Sequence, residues 1–233
     1  MTSPQNPPYG TPEAPLLTVR GEAELEVDPE IARIGITVTA RGRDRRTTLD
    51  DLTRRNTTVL DLLKSYGDEV ENLATGTVSI TPELTQRGRG ERVRTYHGAV
   101  HLTAELADFT ALGELTTRLA DLDLTTIDGP TWALRPTSPV HRQARRHAVR
   151  EALQRAEEYA EALGTTLAAL LELTDIGTTG GHPRAAFDRR AVRFSMAAPD
   201  AEATAPDPLD LEPPRIRIRA EVGAQFTMNP PRL

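Results

Sequence analysis

Five histidines, His97, His101, His141, His147 and His182, are the side chains best suited to metal ligation or to proton transfer near neutral pH. His97 and His101 fall on one face of a predicted strand, but four residues at about 3.3 Å each put them about 13 Å apart, beyond the reach of one ion. His141 and His147 lie six residues apart on a predicted helix, about 240° around its axis. His182 sits in Gly180-Gly181-His182-Pro183, a loop sequence. All five read as surface histidines. The serines Ser3, Ser65, Ser79, Ser138 and Ser195 occur in neither a Gly-x-Ser-x-Gly elbow nor a Ser-x-x-Lys motif. Gly88-Arg89-Gly90 lacks the third glycine of a phosphate-binding loop and joins two predicted strands, so it reads as a turn. The absence of cysteine removes thiolate nucleophiles, disulfides, zinc-thiolate sites and iron-sulfur clusters together. The acidic pairs Asp50-Asp51 and Glu157-Glu158 point about 100° apart on predicted helices and read as solvated faces. No catalytic, cofactor-binding or metal-binding residue is assigned, no cofactor is expected, and the chain reads as a non-enzyme.

What survives is basic. Arg41, Arg43, Arg45 and Arg46 follow the second predicted strand, and Arg87, Arg89, Arg92 and Arg94 surround a second predicted turn. Of these, Arg41, Arg43, Arg87, Arg89, Arg92 and Arg94 are the candidate contacts with an acidic partner or a second subunit. Nucleic acid is not the ligand expected: the net charge is -6, aromatic residues make up 4% of the chain, and only Tyr96 stands near either cluster to stack on a base. The 233 residues fit one large domain or two small ones, and we expect a single domain over 16–228. The first fifteen residues hold five prolines and no basic, apolar leader pattern. They are expected to be a disordered N-terminus of a cytoplasmic protein. Inside the chain, past those fifteen residues, the longest uncharged run, Asn72 to Pro82, is eleven residues, short of the roughly 18 apolar residues of a membrane span.

The elements that must position these residues follow from hydrophobic period. Val19, Ala23, Leu25 and Val27 alternate with charged residues, and Ala32, Ile34, Ile36, Val38 and Ala40 resume the alternation after Asp28-Pro29. These are two strands, expected to pair as a hairpin. Asp44 to Tyr66 shifts to helical spacing and stops before Gly67, a left-handed cap. Glu71 to Leu84 and Arg92 to Leu106 form a second predicted hairpin. Phe109 to Leu122 is helical, and Thr126 to Arg135 is a strand carrying Trp132. Ser138-Pro139 opens a helix that ends at Gly164, along which Ala144, Ala148, Ala152, Ala156 and Ala160 make one flat stripe. After the short apolar segment Leu167 to Ile176, residues 177–214 read as a long Pro/Ala/Asp-rich loop. The alternation from Ile216 to Met228 is the last strand, and 229–233 a tail. The class expected is α+β, an antiparallel sheet of long hairpins with about three helices packed against it, in the order ββαββαβαββ.

In order and spacing these segments resemble the SIMPL-domain family, bacterial proteins with a domain of unknown function that are related to the periplasmic immunogenic protein family. The resemblance rests on Val19-Arg20-Gly21-Glu22-Ala23 followed by Val27-Asp28-Pro29-Glu30-Ile31-Ala32, then Asn56, then Thr75, Ser79 and Pro82. Its most specific block runs from Ala144 through the alanine stripe to Glu157, Tyr159, Leu163 and Gly164. The family usually has Asp where Glu30 stands and an aromatic residue where Leu84 stands. The resemblance implies a non-enzymatic interaction or assembly module with a structural, scaffold or stress-related role. It also implies a homo-oligomer, since some members form rings, and an unidentified protein partner; no catalytic residues come with it. The alternative is a small-molecule or peptide-binding domain in which loop 177–214 closes as a lid over a pocket near Trp132 and Phe187.

Overall fold

Residues 10–85, 92–181 and 208–232 are described by a computed structural model of the chain. Each change of hydrophobic period becomes an element boundary: β1 (Leu16–Val27), β2 (Ile31–Gly42), α1 (Arg45–Ser65), β3 (Val70–Thr85), β4 (Arg92–Leu106), α2 (Phe109–Ala120), β5 (Thr125–Ala133), α3 (Pro139–Ala162), β6 (Leu167–Gly181) and β7 (Ile216–Met228). Class and order agree with the sequence reading. The strands form two antiparallel sheets, β1-β7-β6 and β3-β4-β2-β5. The chain divides into two compact units accordingly, one holding β1, α3, β6 and β7, the other β2 to β5 with α1 and α2.

In the four-stranded unit, Ile34, Ile36 and Val38 of β2 and Leu102, Ala104 and Leu106 of β4 are fully buried on one face, against Leu52, Val59 and Leu63 of α1 and Leu112, Leu115 and Leu119 of α2. The helices start where polar side chains satisfy free amides: Asp44 accepts from the Thr47 amide at 2.9 Å, and Asp108 from the Thr110 amide at 2.8 Å. Gly67 ends α1 at φ 56°, a backbone state that costs a side chain about 1 kcal/mol or more. The hairpin of β3 with β4 is present as expected.

The expected hairpin of β1 with β2 is not. β1 pairs along its whole length with β7, from Leu16 opposite Thr227 to Val27 opposite Ile216. β2 is central in its own sheet, with both hydrogen-bonding edges occupied by β4 and β5. A short connection therefore passes between sheets here instead of closing a hairpin. Alternation identifies a strand's buried face but not its neighbour, which is why the pairing could not be read.

In the three-stranded unit, α3 is capped by the Ser138 hydroxyl, which accepts from the Val140 amide at 3.3 Å. Its alanine stripe, Ala144 to Ala160 in steps of four, is at most 1% exposed. The stripe lies against β1 and β7, whose inward residues Val19, Ile216, Ile218, Val222 and Phe226 are buried. Contact is closest at Gly21, where a Cβ atom would stand 2.1 Å from the Ala148 carbonyl oxygen and 2.6 Å from the Ala152 methyl. Glycine in the Val19–Ala23 motif is thus a packing requirement. β6 continues through Gly181, five residues into the span 177–214 expected to be loop. Residues 182–207, the greater part of that expected loop, lie outside the described residues, as do 1–9. In the four-stranded unit the backbone at Leu209 crosses α2 at Gly113, and the Leu209 amide donates to the Thr117 hydroxyl at 3.2 Å.

Gly21→Val should cost about 3 kcal/mol, the upper end of overpacking penalties, because the clash is with helix backbone. A urea midpoint unchanged from that of the parent would contradict the contact.

Candidate interaction surfaces

The side chains of β2, β3 and β4 that point away from α1 and α2 meet across three adjacent strands. Arg41 stands opposite His97, and Glu83 opposite Thr95. Glu83 is the hub. It accepts from the Arg41 guanidinium at 2.7 Å, from the Thr95 hydroxyl at 2.6 Å, and lies 3.0 Å from His97 Nε2. The Thr95 hydrogen bond first, then His97 and Arg41, hold its carboxyl down at about 2. Further along the same face Arg33 pairs with Glu105, and Thr37 Oγ1 lies 3.2 Å from His101 Nδ1. The face is a ladder of paired polar groups rather than a pocket. Among the described residues no group of three or more histidine and carboxylate side chains could hold a metal ion.

Of the arginines predicted as contacts, Arg41 is engaged by Glu83, while Arg43, between β2 and α1, and Arg94, near the start of β4, are exposed. Arg92 opens β4, and its side chain lies outside what is described; Arg87 and Arg89 lie outside the described residues altogether. The sheet thus brings Arg41 onto the β3–β4 hairpin, on the strand beside Arg94's. Glu83 as Arg41's partner, and Thr95 and His97 that share that carboxylate, were missed because they are remote in sequence. Only the register of three strands brings them together.

Trp132 stacks edge-on against Phe109, with ring centroids 4.8 Å apart, and packs on the core. It is half-buried at the margin of the core. Phe187, its expected companion at a pocket, lies outside the described residues. A shallow cleft of about 300 Å³ between α1 and the α2–β5 connection is lined by Arg54, Arg55, Thr58 and Asp123. Its cations are already bound: Arg54 and Arg55 both pair with Asp51, and Arg55 also donates to the Asp123 carbonyl at 3.2 Å.

Among the described edge strands, β6 carries the most exposed large apolar side chains. It is an edge strand, and among the described residues no strand pairs with the backbone donors and acceptors of its outer edge. Leu170 and Leu173 stand opposite Phe226 and Ala224, which are buried under α3. Yet they remain 54% and 48% exposed, and Leu171 and Ile176 are 40% and 52% exposed. The sequence shows these leucines as a short apolar segment, and nothing in it says that the segment is left uncovered.

Comparison with known proteins bears on the whole of this architecture. Residues 17–226 match the profile of the SIMPL family, described as proteins of unknown function (DUF541). The chain is 22% identical over 165 residues to the 26 kDa periplasmic immunogenic protein of Brucella melitensis, covering 69% of this chain and 66% of that one. It is 22% identical over 157 residues to the uncharacterized protein YggE of Edwardsiella ictaluri, covering 67% and 66%. The chain therefore spans just under two thirds of those relatives' length. A solved structure from Burkholderia cenocepacia shares 18% identity at a TM-score of 0.24, covering 56% of this chain and 33% of that one, a likeness too slight to bear on fold or activity. Among the described residues no helix is long and apolar enough to cross a membrane.

A folded Glu83 carboxyl below the unfolded value of 4.5 means that the stability it contributes is complete above about pH 4.5 and is lost as pH falls through about 2. Carboxyl-detected NMR should give a Glu83 midpoint near that lower value, raised in Thr95→Val. A midpoint in the ordinary carboxylate range in the parent protein would contradict the cluster.

Proposed function

Because the chain belongs to the SIMPL family, whose function is unknown, we propose that it is a non-enzymatic interaction and assembly module that self-associates, β6 of one copy pairing with β6 of a second. The observation that carries this reading is the exposure of Leu170 and Leu173 on an open sheet edge. An antiparallel pairing centred between Leu171 and Glu172 sets Leu170 of one copy beside Leu173 of the other. It continues the three-stranded sheet across a two-fold axis into six strands. Such an interface satisfies the edge amides and removes from water leucines that each contribute about 1 kcal/mol on covering their exposed half. The role we assign is structural or scaffolding. The Brucella melitensis relative is named periplasmic, which weighs against the cytoplasmic expectation, and the periplasm is the compartment we adopt.

Light scattering on the eluting protein at about 0.5 M salt, where ionic contacts are screened, should give a mass that is a multiple of 25.5 kDa. Leu170→Lys/Leu173→Lys should reduce it to the mass of one chain. A parent protein that is monomeric at high concentration, or an assembly unmoved by the two lysines, would sink the reading; in the first case an extended peptide becomes the better candidate for the edge.

A further inference from the structure

α3 carries its charges in blocks. From Pro139 to Arg150 it has Arg142, Arg145, Arg146 and Arg150 and no carboxylate; from Glu151 to Glu161 it has Glu151, Glu157, Glu158 and Glu161 and one arginine, Arg155. This order opposes the helix macrodipole, which favours acidic residues at the N-terminal end and basic residues at the C-terminal end. The first turn accordingly contains no acidic residue and the last no basic one. Placing arginines at 142, 146 and 150 also sets like charges four apart, a further small cost. Stability of the isolated helix therefore does not explain the arrangement.

Pairing within the fold does not explain it either. On β1 and β7 and at their shared end the charges are matched: Arg217 reaches Glu24 and Glu26, Arg219 bonds Glu24 at 2.7 Å, Arg20 pairs with Glu221, and Arg215 lies 3.4 Å from Asp28. On α3 the only ion pair among the described residues is Arg155 with Glu151. Arg142, Arg145, Arg146 and Arg150 are all exposed, and among the described residues none forms an ion pair.

With the alanine stripe facing the sheet, two ridges at a spacing of four face outward. One reads Arg142, Arg146, Arg150, Gln154, Glu158; the other Arg145, Val149, Leu153, Glu157, Glu161. Each runs from positive to negative. Near the middle of the second, Val149 and Leu153 are 38% and 43% exposed. A surface of this kind is complementary to itself when turned end for end.

We propose that the outward face of α3 is a docking surface for α3 of a second copy, packed antiparallel about a two-fold axis near residue 151. Val149 of each copy then meets Leu153 of the other, and Arg145 meets Glu157. Arg142 and Arg146 lie over the acidic end that carries Glu157 and Glu161, with about 1.5 Å of rise per residue keeping the two blocks in step. The proposal rests on the reading of the chain as a self-associating module but uses a different surface from β6. Two distinct two-fold surfaces on one chain build assemblies larger than a dimer, which either surface alone cannot. The α3 contact is the salt-sensitive one of the two.

The test uses Leu170→Lys/Leu173→Lys as background, so that failure at β6 and failure at α3 are read separately. Sedimentation at about 20 mM salt should show a dimer that becomes a monomer at about 1 M salt. Arg142→Glu/Arg145→Glu/Arg146→Glu should weaken the low-salt dimer by at least about tenfold. Adding Glu157→Arg/Glu158→Arg/Glu161→Arg, which inverts both blocks, should restore it, with circular dichroism confirming that every variant is folded. A background protein that stays monomeric at low salt, a dimer indifferent to salt or to the first reversal, or an inverted variant that fails to recover would each overturn the proposal.

Discussion

The close seat of α3 on β1 and β7 governs the three-stranded unit. It exists because five alanines at a spacing of four present almost no side-chain height, and because Gly21 has no Cβ to hold the helix off. Close approach gains many small contacts in place of a few large ones. It also fixes what the helix can cover. An α-helix is about 10 Å across and strands are about 4.8 Å apart, so one helix shelters two strands. β1 and β7 are those two, and β6 is left with leucines in water although its register sets them beside buried residues. The exposed edge is thus a consequence of the packing.

The four-stranded unit solves the same problem differently. Two helices, α1 and α2, lie on one face and supply leucines, so β2 and β4 bury Ile34, Ile36, Leu102 and Leu106 completely. The opposite face remains polar, and cross-strand bonds such as those of Glu83 and of Arg33 with Glu105 satisfy it without a partner. That contrast between matched strand charges and the segregated charges of α3 separates faces that are complete from a face that is not.

Much of this was legible in the sequence wherever one residue decides a local outcome. Ser138-Pro139 fixed the start of α3, Asp44 the start of α1, Gly67 and Gly164 the ends of α1 and α3, and strict alternation the extent of β7. Pairing was less legible, because period two identifies a face and leaves the neighbour open. β1 and β2 both alternate, yet they belong to different sheets. The same limit hid the cluster around Arg41, whose members Glu83, Thr95 and His97 are 42 to 56 residues away and meet only through register. Exposure of β6 was hidden for another reason: a run of leucines reads as core unless the width of the covering helix is known.

Self-association through β6 is the central claim, and hydrogen exchange reads it directly. The backbone amides of Leu167–Ile176 that do not bond to β7 should exchange slowly at high protein concentration and quickly on dilution. Free amides that exchange at the same fast rate at every concentration would show that no second copy covers the edge, and would contradict the account.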